Sequence, residues 1–240
     1  MLDVSLGIDV EPDCPPYLAT QYRGIERGLP AVLELLREAD VPVTCFSTGQ
    51  VAERYPDAIR AIVSAGHELA CHGHTHARFD RMSDAAAQRE IADASAVLRG
   101  FGVPVTSFRA PNLQLPPRHL ALLESHGYER DSSVGKHKLA FYAPAAATRL
   151  LRIPASTTSS VLRLDRWLRD PFLRSLASPV VLFVHPWEFV DLTRERLRLD
   201  CRFRTGQPAL DALRSALALF RKRGARFVRL NEIPATARAA

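Results

Sequence analysis

Short runs rich in β-branched residues recur along this chain, each followed by a stretch with helical periodicity, and that alternation limits what it can fold into. The strand candidates are Val4 to Val10, Val43 to Ser47, Glu68 to Cys71, Thr106 to Arg109, Arg152 to Pro154, Val180 to Val184 and Arg226 to Leu230. Between them, Ile25 to Ala39 carries leucines at 29, 33, 35 and 36, Asp57 to Ala65 is followed by Gly66, Ser83 to Leu98 opens on Ser-Asp and closes on Gly100, and Pro208 to Arg223 closes on Gly224. Repeated β-α units favour a parallel sheet with helices outside. About seven strands in a chain of 240 residues suit a closed or nearly closed barrel in one domain over residues 1–240. The run Glu11-Pro12-Asp13-Cys14-Pro15-Pro16 reads as a loop after the first strand, since proline cannot continue a ladder. Residues Leu139 to Ser178 are the least regular.

Composition narrows the setting. Met1 leads straight into the first strand candidate with no basic or long apolar leader, so the cytoplasm is the expected address, and no stretch approaches the roughly 18 apolar residues of a membrane span. Cys14, Cys45, Cys71 and Cys201 show no paired spacing and are expected to be buried small residues. Eighteen of the 32 basic residues but only eight of the 26 acidic ones lie in residues 141–240, so the second half carries the positive charge. Its arginines are spread through helices without a recognisable binding motif, which argues against a nucleic-acid partner.

Polar clusters fall at the strand exits: Asp9-Val10-Glu11, His72-Gly73-His74-Thr75-His76, Arg109-Ala110-Pro111 and His185-Pro186-Trp187-Glu188, with Asp131 the one uncertain placement. In a parallel barrel these ends share one face, where such folds place their active sites. Asp9 and Glu11, two apart in extended chain, point the same way, and two close carboxylates are costly without a cation. His72 and His76, four apart, are expected on one side of a helical turn, and two imidazoles with one carboxylate leave a coordination position open for water. His74 competes, because His72 and His74 on a strand would also share a side; spacing alone does not choose. Asp13 is a rival for Glu11. The same donor set occurs in non-haem iron oxygenases, which have no use for an acid-base pair such as Asp9 and His185.

The stretch Asp57 to His76, with Gly66-His67-Glu68 ahead of His72-Gly-His-Thr-His76, resembles the second motif of the polysaccharide deacetylase (NodB-homology) family. Gly7-Ile8-Asp9-Val10-Glu11, Ser107-Phe108-Arg109-Ala110-Pro111, Gly127 to Ser133 and Leu182-Phe183-Val184-His185-Pro186 resemble its first, third, fourth and fifth motifs, in order. The resemblance implies an α/β fold with a distorted (β/α) barrel, and hydrolysis of an N-acetyl or related amide of an amino-sugar derivative. It further implies that Glu11, His72 and His76 hold a divalent metal, zinc first, that Asp9 is the general base oriented by Arg109, and that His185 is the general acid with Asp131 near it. Asn112, whose backbone N–H would complete an oxyanion site, and Trp187 are the expected substrate contacts. An amide nitrogen leaves poorly unless protonated, so a base and an acid are both needed, each contributing about 10²- to 10⁴-fold.

Two departures matter. The family's usual adjacent Asp-Asp is here Asp9-x-Glu11, and the aromatic that usually follows the third-motif proline is Asn112, which removes one wall of a sugar groove. A small or lipid-linked amino sugar therefore fits better than a polymer, and deformylation or cyclic-amide hydrolysis, allantoinase-like, is the alternative on the same scaffold. Arg163, Arg166, Arg169 and Arg174 surround Leu164, Trp167, Leu168 and Phe172, and the three-residue steps predict an arginine row on one helical face, able to meet phosphate or an anionic membrane.

Overall fold

The computed structural model describes residues 1–136 and 148–235. Its strands are β1 (Asp3–Val10), β2 (Thr44–Ser47), β3 (Glu68–Cys71), β4 (Ser107–Phe108), β5 (Arg130–Asp131), β6 (Leu151–Arg152), β7 (Val180–Val184) and β8 (Arg226–Phe227). The α-helices are α1 (Leu29–Ala39), α2 (Gly49–Arg54), α3 (Pro56–Ser64), α4 (Asp84–Arg99), α5 (Leu120–Ser125), α6 (Ser159–Leu162), α7 (Arg166–Ser175), α8 (Leu199–Arg202) and α9 (Gln207–Lys222). The strands run β6-β5-β4-β3-β2-β1-β7, with β8 against the first two residues of β1, and every ladder is parallel.

β1 lies between β2, in register Gly7 to Thr44, and β7, in register Val4 to Val180. Val4, Leu6, Ile8 and Val10, two apart along β1, share one face and enter the core, while Ser5, Gly7 and Asp9 on the opposite face are buried as well. The helices bury one stripe each: Leu29, Val32, Leu35 and Leu36 on α1, and Leu213, Ala216, Leu217 and Phe220 on α9. Thr48 caps α2 by accepting from the Val51 amide, and Ser83 caps α4 by accepting from that of Ala86.

The expected barrel is a curled half-barrel. Among the described residues no ladder joins β6 to β7; one backbone bond, Ser156 N–H to Val181 O at 2.8 Å, bridges the gap. β6 is two residues long and Pro154 follows it, so the amide that would extend the ladder is missing. β5 is an addition to the strands expected from sequence, because Arg130-Asp131 has no apolar alternation and becomes a strand only by pairing with β4 and β6. Part of the irregular segment, residues 137–147, lies outside the described residues. Cys14, Cys45 and Cys71 are buried and Cys201 is partly buried, all as free thiols.

Candidate active site

Because every ladder is parallel, the C-terminal ends of β1, β3, β4 and β7 open on one rim, around a cavity of roughly 870 Å³. Asp9, Glu11, His72, His76, Asn112, His185 and Trp187 line it.

Arg109 follows β4, fully buried, and donates from Nη1 to Asp9 Oδ1 at 2.7 Å and from Nη2 to Ser132 Oγ at 3.1 Å. Its guanidinium lies over the Phe46 ring, 4.1 Å from the centroid, with Phe183 at 5.3 Å, so a buried charge is held by one carboxylate and two aromatic faces. Gly7 makes room: a Cβ there would come within 2.5 Å of Arg109 Nη1.

Glu11 is also buried. Its Oε1 accepts from Trp187 Nε1 at 3.0 Å, and its Oε2 lies 2.6 Å from His76 Nε2 and 3.3 Å from His72 Nε2. Burial works to raise its pKa, but the charges of His76 and His185 and hydrogen bonds from His72 and His76 hold it well below the usual carboxylate range. One donor atom from each of Glu11, His72 and His76 lies within 4.8 Å of the others. His72 donates from Nδ1 to the Arg109 carbonyl at 2.7 Å, which turns its Nε2 towards Glu11. Such a backbone contact on the far nitrogen is how metal-binding imidazoles are usually oriented. A buried carboxylate facing two ring nitrogens, with the His72 ring fixed from behind, fits a divalent cation.

The two histidines do not meet on a helical turn. His72 leaves the end of β3, and the loop then bends through Gly73 at φ 77° and His76 at φ 64°. Glu90 of α4 holds that bend, its carboxylate accepting from the amides of His74 at 2.9 Å and Thr75 at 2.6 Å and from the Thr75 hydroxyl. His74 is turned away, its Nδ1 where a Cβ on Gly49 would sit and its Nε2 4.0 Å from Glu53. Asp13 is engaged elsewhere, accepting from the amides of Arg23 and Gly24 and from the Arg23 side chain.

His185, just beyond β7, faces this group. Its Nε2 is 4.0 Å from Asp9 Oδ2 and 3.9 Å from Glu11 Oε1. Its Nδ1–H donates to Glu188 Oε1 at 2.7 Å, and the other Glu188 oxygen is ion-paired with the buried Arg163 at 2.8 Å. Burial lowers the His185 pKa, but the charges of Glu11, Glu188 and Asp9 and the bond to Glu188 outweigh it and push it up to about 9. Trp187 stacks on the His185 ring with centroids 4.7 Å apart. With its N–H given to Glu11 and a face to His185, Trp187 presents little surface to a substrate.

Asp131 is not brought to His185. Its carboxylate accepts from Arg152 Nε at 2.9 Å and from the Ser133 amide at 3.0 Å, a buried bracket between β5 and β6. The carboxylate behind His185 is Glu188, in the sequence cluster but without an assigned role there. The three-residue step from His185 to Glu188 was the available signal. Glu90, Arg163 and Ser132 carried none. Asn112 lines the cavity in left-handed backbone, φ 59°.

A polysaccharide deacetylase profile matches residues 12–130. The chain belongs to the polysaccharide deacetylase family. A peptidoglycan deacetylase of Helicobacter pylori is 23% identical over 201 residues, 79% of this chain and 67% of that one. A peptidoglycan deacetylase-like protein of Gibberella zeae is 30% identical over 171 residues, 69% of this chain and 48% of that one. The chain thus spans about two thirds of the first relative and about half of the second. A solved structure of a candidate polysaccharide deacetylase from Mycobacterium smegmatis superposes with a TM-score of 0.74 at 21% identity, covering 99% of this chain and 90% of that one. A CE4-family pseudoenzyme from Bacillus anthracis superposes at 0.67 with 15% identity, covering 96% of this chain and 64% of that one. The family fold therefore houses inactive members as well, and the case for chemistry rests on the residues at the rim.

Proposed function

We propose that this chain is a metal-dependent N-deacetylase of an amino-sugar derivative. The observation that carries the reading is a facing pair beside the Glu11, His72 and His76 donor set: Asp9 held by Arg109 and His185 held by Glu188, their reactive atoms 4.0 Å apart and His185 Nε2 3.9 Å from Glu11. A divalent cation on that set, zinc first, supplies Lewis acidity, lowering the pKa of water towards about 7 and polarising an acyl oxygen. The rest belongs to the chain. Asp9, fixed by the short Arg109 contact, takes the proton of the attacking water. His185 carries a proton on Nε2 and delivers it to the departing nitrogen, while Glu188 accepts from Nδ1 and keeps the ring aimed. The backbone N–H of Asn112 is the proposed donor to the developing oxyanion. Asp131 has no part in proton transfer in this scheme.

The relatives' names point to N-acetylated peptidoglycan, and those of shorter matches to chitooligosaccharides. Asn112 in place of an aromatic leaves one side of the cavity without a sugar-stacking wall, which supports a small or lipid-linked amino sugar. The test is a screen of zinc-loaded protein against N-acetylglucosamine derivatives, chitooligosaccharides, muropeptides and N-formylated and cyclic-amide substrates, reading acid and amine release. Acetate with free amine from an amino sugar is the expected result. Formate release or ring opening without any acetate would replace the reading with another C–N hydrolysis.

A further inference from the structure

α7 is folded with its chemistry reversed. It buries Arg169 to 1% exposure, where the guanidinium donates to the Ala212 carbonyl at 2.8 Å, to Ser215 Oγ at 2.9 Å and to Asp170. Meanwhile Trp167 is 73% exposed, Leu168 48% and Phe172 40%. The arginine row expected from sequence does not exist as a surface: Arg163 lies before α7 and is buried on Glu188, and of the three-residue series only Arg166 reaches solvent. What α7 offers solvent is its apolar side.

The residues just ahead of α7 are tied to a segment of the cavity wall. Asp165, which precedes α7, is ion-paired with Arg204, and Arg163 donates to the carbonyls of Asp200 and Phe203. The 198–204 segment held in this way contributes Arg198, Asp200 and Cys201 to the cavity wall and exposes Leu199 to 67%. Tyr17, another exposed aromatic, lines the same cavity. Apart from Met1, the large hydrophobic side chains most exposed among the described residues are these five.

We propose that α7, together with Leu199 and Tyr17, docks the protein onto an anionic lipid surface with the cavity mouth beside the membrane. Charge selects this occupant. Leaving out the buried Arg163 and Arg169, residues 163–174 and 194–204 together hold seven arginines against four acids. The acids are already matched: Asp165 to Arg204, Asp170 to Arg166 and Arg169, Asp200 to Arg198, Glu195 to Arg23. Exposed cations interleaved with Trp, Leu and Phe match an interfacial helix, whose apolar side chains enter the acyl boundary while arginines meet lipid phosphates. A second copy of the chain would bring the same positive surface against itself. The docking does not depend on which acyl group the cavity hydrolyses.

The experiment uses the full chain with vesicles of phosphatidylcholine alone or mixed with phosphatidylglycerol, reading co-sedimentation and tryptophan emission. The chain has two tryptophans and Trp187 is 5% exposed, so an emission shift on binding reports Trp167. The wild type should sediment with the anionic vesicles and shift to shorter wavelength, and high salt should weaken both effects. Combined Trp167→Ser, Leu168→Ser and Phe172→Ser should lower partitioning by at least about tenfold, with circular dichroism checking that the fold is kept. Arg166→Gln with Arg174→Gln, which leaves the apolar face intact, should weaken binding to anionic vesicles on the order of tenfold. Absence of wild-type binding to anionic vesicles at low ionic strength would overturn the proposal. So would equal binding by the serine variant, or a concentration-dependent dimer that the serine variant abolishes while vesicles bind neither protein.

Discussion

His72 and His76 turn their Nε2 atoms to one carboxylate oxygen of Glu11, whereas His74, between them in sequence, packs behind the loop against Gly49. Elemental analysis should therefore find His72→Ala and His76→Ala depleted of metal and His74→Ala still loaded; the reverse for His74 and His76 would dissolve the proposed donor set. Asp9 and His185 stand outside that set with partners of their own. Asp9→Asn and His185→Ala should retain metal yet lose turnover by about 10²-fold or more, because they move protons and do not coordinate. Near-normal turnover in Asp9→Asn would remove the base from the scheme.

At the scale of elements, the site depends on a clamp from outside the catalytic strands. Glu188, in the turn after β7, is buried between His185 and Arg163, which lies between α6 and α7. Burial alone would raise its pKa, but Arg163 and His185 hold it below its ordinary 4.5. A carboxyl depressed in the folded state contributes stability that is present above its unfolded pKa and is lost as pH falls through its folded pKa. The wild type should thus lose stability on acidification below about 4.5 in part through Glu188, and Glu188→Gln should show a shallower loss over that window in urea titrations. The same variant keeps an acceptor for His185 Nδ1 but removes the charge that helps keep the ring protonated, so turnover should fall with little change in KM. Equal acid sensitivity in both proteins would show that the clamp contributes nothing to the pH response. Helical spacing from Arg163 to Arg169 suggested one exposed row, but the fold splits it, spending Arg163 on this clamp and Arg169 on α9.

Across the whole molecule, the donor set joins the exit of β1 to the loop after β3, so a bound ion ties together segments some sixty residues apart in the chain. A ligand that binds only the folded state stabilises it by mass action, about 2.7 kcal/mol at a hundredfold excess over Kd. For a chain of this size that corresponds to a rise of several degrees in Tm, at roughly 2–4 °C per kcal/mol. Thermal melts with added zinc should show this shift, a chelator should reverse it, and Glu11→Gln should abolish it; a melt unmoved by zinc would count against the ligands named here.

Some of this was determined by the sequence alone. Parallel β-α alternation follows from periodicity, because a strand buried on both faces is largely apolar and a helix laid on a sheet has to be striped, and both constraints are local. From that alternation the convergence of Asp9, Glu11, His72, Arg109 and His185 on one rim could be reasoned out, since strand ends in a parallel sheet share a side. The pairing of side chains across the rim could not. Whether His74 or His76 meets Glu11 depends on a left-handed bend secured by Glu90, and Asp131 could be told from Glu188 as the partner of His185 only by where β5 lies relative to β7. The two residues of β5 and the inverted burial on α7 exist only because neighbouring elements supply the missing hydrogen bonds: β4 and β6 for the first, α9 for Arg169. Those are contacts between residues far apart in the chain, and no local pattern records them.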